Sequence, residues 1–292
     1  MIWRSIFPPE GGGSMRRFIK IKRSLLEQRW LDRPKVTSPG YNLQPLTLFD
    51  FSRHDDAVDA MNSDISGRKG GWRCSDDETI GGYSGATLKF IRSRKDLVLH
   101  TSQSLGLYAN SSADTPTLQT EELMIADEPD FIPFLRFEGI IDTTLPDGVK
   151  AKRSGFCAIR SPEFVLGGAD LGDFYNALEI KCRPDARNYT VNLGVHTFFP
   201  DDLYQGFITQ PQPQIPVQNN DDGEWNTLIL PFKEFILTAL GRKREVQRKL
   251  DGGISIKHIG ITLADGVDGD FEFDLARIRA VNYYRGRLIG ED

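Results

Sequence analysis

Strict alternation of apolar and acidic side chains marks the stretch Phe271-Glu272-Phe273-Asp274-Leu275. Successive side chains of a β-strand point to opposite faces of the sheet, so the three apolar residues share one face and the two acids the other. We therefore predict a strand over Phe271–Ala280 with one buried face.

Short segments of the same kind recur from residue 46 onward, separated by clusters of Gly, Pro, Asn and Asp. This pattern is typical of an all-β sandwich or barrel. The other predicted strands are Ala86–Arg92, Asp96–Thr101, Leu135–Ile141, Gly155–Ser161, Ala177–Arg183, Thr190–His196, Gly206–Thr209, Asn226–Leu230 and Ile256–Leu263.

Few segments favour a helix in this part of the chain. One is Asp55–Asn62, and a better one is Pro231–Leu240, where a proline start is followed by apolar residues on one helical face. That face would consist of Phe232, Phe235, Ile236 and Leu240. Long loops are expected at Ala109–Asp130 and Gln210–Glu224, the second of which is rich in proline and turn residues.

The composition is that of an ordinary globular protein. Of 292 residues, 39% are hydrophobic and 26% are charged, which suffices for a large buried core. No run of about 18 apolar residues occurs, so no bilayer-spanning segment is expected. The first 35 residues carry nine basic and three acidic side chains, and the other 257 carry 27 and 38. The acidic body argues against a nucleic-acid-binding surface there.

Residues 1–45 read as a basic leader or arm followed by a linker. Ser14–Arg33 has helix-compatible composition with Ser14 as the N-cap. A basic helix of this kind is compatible with a mitochondrial targeting sequence, with an arm on an anionic membrane and with a helix docked on its own domain. Targeting is favoured because arginines dominate and acids are few. The residues expected to contact a membrane or partner are Arg16, Arg17, Phe18, Lys20, Lys22, Arg23 and Trp30.

The three cysteines, Cys74, Cys157 and Cys182, form no CxxC pair. An odd number without such spacing suggests neither a disulfide framework nor a zinc ribbon. Buried, reduced thiols are expected, which favours cytosol, matrix or stroma over a secretory route.

Four blocks in order carry a family resemblance. The first is the motif Ser75–Ser84, with the sequence Ser-Asp-Asp-Glu-Thr-Ile-Gly-Gly-Tyr-Ser, which follows Asp50-Phe51 and Trp72. The next three are Phe156–Ser161 with the Leu178–Lys181 strand, Trp225 through Pro231–Phe235, and Ile259–Phe271 with Asp274. Together they resemble the complex I intermediate-associated protein 30 family over residues 46–284, which leaves 285–292 as a tail.

This resemblance implies a galactose-binding-like jelly-roll β-sandwich with a basic N-terminal helical arm. It also implies a non-catalytic assembly factor for mitochondrial respiratory complex I, without a cofactor. The implied partners are immature membrane-arm subunits and other assembly factors, including an acyl-CoA-dehydrogenase-like protein. The implied location is the mitochondrial matrix, with peripheral contact to the inner membrane. Assembly of another membrane complex in a plastid or bacterium is an alternative.

The residues of the first motif have two interpretations. Gly81 and Gly82 are expected to permit a positive φ or a close backbone approach at a turn, and Asp76 and Ser84 to satisfy loop amides. Ser75 belongs to the same motif. Alternatively, the motif forms a partner-binding loop.

A second candidate group is the acidic stretch Asp265, Asp268, Asp270 and Asp274. Carboxylates at such spacing could hold Ca²⁺, but the Asp-x-Asp-x-Asp-Gly order of an EF-type loop is absent. A turn between two core strands is the favoured interpretation.

No recognisable frame for catalysis occurs in the sequence. His54, His100, His196 and His258 are scattered, and the last three fall in predicted strands as expected sheet residues. The alternative function is a carbohydrate-binding module or glycan-processing protein. Such modules place Trp and Tyr on an exposed concave face, whereas Trp72 and Trp225 are expected in the core.

Overall fold

The structure is a computed structural model that describes residues 44–53, 71–97, 131–145, 154–164, 168–197, 199, 201–208, 225–239, 241–250 and 254–290. The basic arm with its seven named residues, the expected helix at 55–62 and both expected long loops lie outside these residues. Among the described residues, no helix has the length and apolar character needed to cross a membrane.

The first sheet, sheet I, is built on one long strand. Its strands are β1 (Leu46–Asp50), β3 (Gly85–Ile91), β4 (Phe134–Ile141), β6 (Ala177–Pro184), β9 (Asn226–Pro231), β13 (Gly269–Tyr284) and β14 (Arg287–Ile289). The order is β3-β4-β13-β6-β9, and β1 and β14 also pair with β13. All of these pairs are antiparallel.

The second sheet, sheet II, lies against the first. Its strands are β2 (Arg73–Asp76), β5 (Cys157–Arg160), β7 (Tyr189–Val195), β8 (Asp202–Ile208), β10 (Ile236–Ala239), β11 (Arg242–Lys243) and β12 (Ile256–Leu263). Their order is β11-β10-β8-β7-β12-β5-β2. The described chain also contains short 3-10 helices at Asp77–Ile80, Leu171–Asp173 and Phe232–Glu234.

The inner faces of the two sheets share one hydrophobic core. Leu135, Phe273 and Ile278 of sheet I and Ile159 and Ile261 of sheet II are all buried in it. The chain crosses repeatedly between the sheets, as in a jelly roll. The predicted all-β sandwich is therefore confirmed.

Strand β13 confirms the alternation read from its sequence, with one irregularity. Phe273 and Leu275 face the core, and so do Ile278 and Ala280. These two pairs are out of phase by one residue, and the register with β6 shifts between Leu275 and Arg277. A β-bulge absorbs the extra residue, so both halves of the strand present apolar side chains to the core.

One secondary-structure prediction is wrong, and a second is contradicted at its first two residues. Instead of a helix over Pro231–Leu240, a single 3-10 turn is followed by β10, which pairs with β8. Phe232 and Phe235 do share a buried face, but three-residue spacing fits that turn as well as a helix. Of the strand predicted at Asp96–Thr101, only Asp96 and Leu97 are described, and they lie in a helical turn, 94–97, where the Leu97 N–H donates to the Ser93 carbonyl.

Candidate partner-binding end of the sandwich

Five loops meet at one end of the sandwich, which we call the signature end. They are residues 77–84, 142–144, 154–156, 185–188 and 264–268. Strand pairing brings them together, because Asp76 lies opposite Cys157, Cys157 opposite Leu263, and Leu263 opposite Tyr189. The motif Ser75–Ser84 and the stretch from Asp265 therefore meet in space.

A fully buried carboxylate, that of Asp77, organises these loops. Its Oδ1 accepts a hydrogen bond from the Ser84 N–H at 2.9 Å. Its Oδ2 accepts from the Ser84 hydroxyl at 3.0 Å and from the Gly155 N–H at 2.5 Å. Hydrogen bonds to a charged acceptor are stronger than neutral ones, so this side chain joins two loops that are 78 residues apart.

The two glycines of the motif are required by the same arrangement. Gly81 has a φ of 87° and closes the 3-10 turn, with its N–H donating to the Glu78 carbonyl. A Cβ on Gly82 would lie 2.3 Å from Asp77 Cγ, so only glycine lets the backbone pass the carboxylate. Asp76 caps the turn by accepting from the Glu78 N–H at 3.2 Å. These contacts support the structural interpretation of the motif.

Ser84 and Asp268 both bind the backbone of the neighbouring loop, residues 142–144. The Ser84 hydroxyl accepts from the Asp142 N–H at 3.0 Å and lies 3.2 Å from the Asp142 carbonyl. Asp268 Oδ1 accepts from the Thr143 N–H at 2.7 Å. Both contacts bind loop backbone, so they fix the loop after β4 in place.

Asp265 takes part in a separate ion pair with Arg187. The guanidinium donates to both carboxylate oxygens, at 2.9 and 2.6 Å, and also to the Val267 and Gly269 carbonyls. The hydrogen bond from Arg187 lowers the pKa of Asp265 and raises that of Arg187. Arg187 thus holds the turn before β13 closed.

Asp274 and Ser75 are not part of the loops of the signature end. Asp274 is buried on the outer face of sheet I, where it accepts from Arg136 at 2.8 and 2.9 Å and from Arg183 at 2.8 Å. Ser75 lies on the outer face of sheet II, opposite Ala158.

The acidic stretch is therefore not a single cluster of ligands. Asp265 pairs with Arg187, Asp268 with backbone and Asp274 with two arginines. Within the described ranges, no group of three His, Cys, Asp or Glu side chains is arranged to hold a metal ion.

Four exposed apolar side chains lie in or beside the loops of the signature end. Ile80, Tyr83, Ile140 and Val267 are all exposed, and we call these four residues the end patch. Ile80 and Tyr83 lie in the motif itself, Val267 lies beside Asp268, and the Ile140 Cα pairs with that of Gly85 in β3. The carboxylates of Asp77, Asp265 and Asp268 hold the loops beneath them together, so these apolar side chains stand on a rigid base that also exposes Glu78 and Asp268.

The sequence did not single out several residues that shape these sites: Asp77, Gly155, Arg187, Arg136 and Arg183. Asp77 stands inside the quoted motif, and its distance of five residues from Gly82 carries no local signal. Arg187 lies in the loop between β6 and β7, where a lone arginine resembles any surface residue.

The two tryptophans that the structure describes, Trp72 and Trp225, do not form a sugar-stacking face. Trp72 is buried against Phe49 and Phe51 in the core, as expected. Trp225 is half-buried on the outer side of sheet I, where it packs against Phe134 and the Arg183 guanidinium lies 4.3 Å from its ring centroid. Two of the three thiols, Cys157 and Cys182, are buried as expected, whereas Cys74 is half-buried.

His258 lies on the outer face of sheet II and makes stability dependent on pH. Burial and the nearby Arg160 lower its pKa from 6.5 to about 4, and Lys257 and His196 act in the same direction against Glu163. The unfolded imidazole therefore binds a proton at higher pH than the folded one. Stability is fully present above pH 6.5 and falls as the pH drops towards 4.

We expect the free energy of unfolding to drop by about 2 kcal/mol over this window because of His258 alone. Chemical denaturation of wild type and His258→Gln at a series of pH values measures the effect. The variant should have the flatter profile. Identical profiles for wild type and His258→Gln would show that the ring does not resist protonation.

A family model described as Complex I intermediate-associated protein 30 matches residues 122–275. The match runs from before β4 into β13 and includes strands of both sheets. Three of the four sequence blocks lie within it, and the motif Ser75–Ser84 precedes it.

Two relatives carry the same description. Complex I intermediate-associated protein 30, mitochondrial, of Neurospora crassa is 28% identical over 155 residues, which are 51% of this chain and 52% of that protein. The Mus musculus protein of that name is 29% identical over 145 residues, 47% of this chain and 41% of that protein. The chain thus spans about half the length of the curated relatives it matches.

Among solved structures, the family 11 carbohydrate-binding module of the Clostridium thermocellum cellulase Lic26A-Cel5E is similar at 11% identity. It matches 83% of this chain and 97% of its own, with a TM-score of 0.44. The same module in complex with a β-1,3-1,4-mixed-linked tetrasaccharide matches 75% and 93%, with a TM-score of 0.40.

Proposed function

The chain belongs to the complex I intermediate-associated protein 30 family, and we therefore propose that it serves the assembly of mitochondrial respiratory complex I (NADH:ubiquinone oxidoreductase) without catalysing a reaction. In this role it binds immature membrane-arm subunits and other assembly factors, including an acyl-CoA-dehydrogenase-like protein. It works in the mitochondrial matrix, in peripheral contact with the inner membrane. The observation that carries the proposal is the family match across both sheets.

The chemistry of the signature end supports a binding role. Asp77, Asp265 and Asp268 are each engaged in hydrogen bonds that hold loops together. Tyr83 and Val267 are 58% and 57% exposed on that base. Apolar side chains on a preorganised surface lose little entropy when they bind, which suits recognition of an apolar partner surface.

Removing the end patch should block assembly while the fold survives. We expect deletion of the gene to leave stalled membrane-arm subcomplexes on native gels, and re-expression of the wild type to restore mature complex I. The double variant Tyr83→Ser, Val267→Ser should fail to restore it, because loss of a central aromatic contact weakens an interface by about 30-fold.

A matched control exists at other exposed positions. Tyr284 is 44% exposed at the far end of β13, and Val246 is 82% exposed after β11. The variant Tyr284→Ser, Val246→Ser makes the same chemical change and should restore complex I. A normal level of mature complex I after gene deletion would refute the assembly role. Equal rescue by both double variants would refute the end patch as the partner contact.

A further inference from the structure

The outer face of sheet II carries an unusual distribution of charge. Residues that pair across neighbouring strands form three rows on this face. The first row is Lys243–Thr238–Leu203–Gly194–His258, the middle row is Ile236–Gln205–Asn192–Gly260–Arg160–Arg73, and the third row is Phe207–Thr190–Thr262–Ala158–Ser75. Of these strand residues, none is Asp or Glu, although acidic residues outnumber basic ones in the whole chain by 41 to 36.

Two arginines lie side by side on this face. Arg73 of edge strand β2 pairs in register with Arg160 of β5. Their inner neighbours Cys74 and Ile159 pack on the core, so both guanidinium groups point outward. Like charges directly opposite each other on a sheet repel and destabilise it.

No carboxylate compensates this repulsion among the residues that the structure describes. Neither Arg73 nor Arg160 forms an ion pair there, whereas Arg136, Arg187 and Arg244 all do. The nearby Glu163 pairs with Lys257 at 3.2 Å. With respect to the described residues, the arginine pair therefore has charge and hydrogen-bond donors available for a ligand.

The remainder of the middle row suits an extended peptide. Gln205 Nε2 donates to Asn192 Oδ1 at 2.8 Å, and Asn192 Nδ2 donates to Thr262 Oγ1 at 2.8 Å. This chain of amides leads to Gly260, which has no side chain, and then to Arg160. A backbone could approach closely at the glycine, with amides on one side and two arginines on the other.

We propose that the outer face of sheet II docks an extended, carboxylate-rich segment of a partner protein, with Arg73 and Arg160 binding its carboxylates. Arginine binds carboxylates in a bidentate manner, and the amides of Gln205 and Asn192 can pair with peptide groups. The inference deepens the proposed function by naming the chemistry of one partner, and it rests on that function only in taking the occupant to be a protein.

A nucleic acid or an anionic membrane fits this face less well. A polyanion needs many basic contacts along its length, and these rows contain three Lys or Arg side chains. The acidic body of the protein repels a long polyanion, whereas a short acidic segment can bind one local basic patch.

Binding of a labelled octapeptide of alternating Glu and Thr to the purified full chain tests the proposal by fluorescence anisotropy at low and physiological salt. We expect saturable binding that weakens about tenfold in Arg73→Gln and in Arg160→Gln, and further in the double variant, which corresponds to loss of one charged contact each. The control Arg285→Gln, on the exposed turn between β13 and β14, should bind like the wild type.

The unfolding midpoint of the same variants separates binding from folding. Removing one of two repelling charges should leave the midpoint unchanged or raise it, whereas a structural role would lower it. The proposal is overturned if the octapeptide does not bind, if the double variant binds it unchanged, or if Arg285→Gln weakens binding equally. Tighter binding of an eight-nucleotide oligothymidine or of phosphatidylserine vesicles would also overturn it. Because purified protein is used, none of these outcomes depends on complex I levels in cells.

Discussion

Replacing Asp77 with alanine is expected to lower the free energy of unfolding by about 3–5 kcal/mol. The change leaves buried hydrogen-bond donors without an acceptor, and each unsatisfied donor costs about 1–3 kcal/mol. The Ser84 and Gly155 N–H groups lose their acceptor, and these groups belong to loops that depend on the same carboxylate. The Ser84 hydroxyl can turn to the Asp142 carbonyl, so its loss is partly offset.

Urea denaturation followed by tryptophan fluorescence measures this change. Asp77→Asn should be nearly as destabilising, because its NH₂ group faces donors where an acceptor is required. The adjacent Asp76→Ala is the control, and it should cost about 1 kcal/mol, the worth of one capping hydrogen bond. A loss for Asp77→Ala no greater than for Asp76→Ala would mean that water replaces the carboxylate and that the side chain does not organise the loops.

Asp274→Ala should be equally damaging, with a loss of about 3–5 kcal/mol, because removing one partner leaves a buried charge uncompensated. Arg136 is only 8% exposed and would lose its bidentate partner, and Arg183 would lose its contact at 2.8 Å. Glu272, on the same strand, also contacts Arg136, but its side chain is 50% exposed. Glu272→Ala should therefore cost less than about 1 kcal/mol.

A double variant distinguishes an uncompensated charge from simple loss of packing. Arg136→Met combined with Asp274→Leu replaces the pair with apolar groups of similar volume, and such replacements are often neutral or stabilising. The double variant should unfold at higher urea concentration than Asp274→Ala. If instead the double variant is the less stable of the two, packing around Asp274, and not the unpaired charge of Arg136, accounts for the stability lost in Asp274→Ala.

Long strands could be predicted from the sequence because their evidence is local. β12 and β13 alternate apolar and polar side chains over many residues, and burial of one face explains that pattern wherever the strand lies in the sheet. β2 and β11 could not be predicted, since their segments are short and polar and they exist only by pairing with β5 and β10. β10 was mistaken for a helix because spacing of three suits both structures.

In the candidate site, too, local features could be predicted from the sequence, whereas contacts between distant segments could not. Gly81, Gly82 and Asp76 match the expected tight turn, because turn chemistry is decided by neighbours in sequence. Ser84 binds a loop amide as expected, but that amide belongs to Asp142, 58 residues away. That Asp77 reaches Gly155, that Asp265 pairs with Arg187, and that Asp274 lies elsewhere depend on the register of strands far apart in the chain.

By itself, then, the sequence determined the all-β class, the main strands, the turn at Gly81 and the family resemblance that the match over residues 122–275 confirms. The tertiary structure alone decided which carboxylates are buried and which groups bind them, that four exposed apolar side chains lie in or beside the loops of the signature end, and that Arg73 faces Arg160. Periodicity and turn conformation depend on residues that are neighbours in sequence, whereas contacts between loops arise only after the strands have paired and the two sheets have packed.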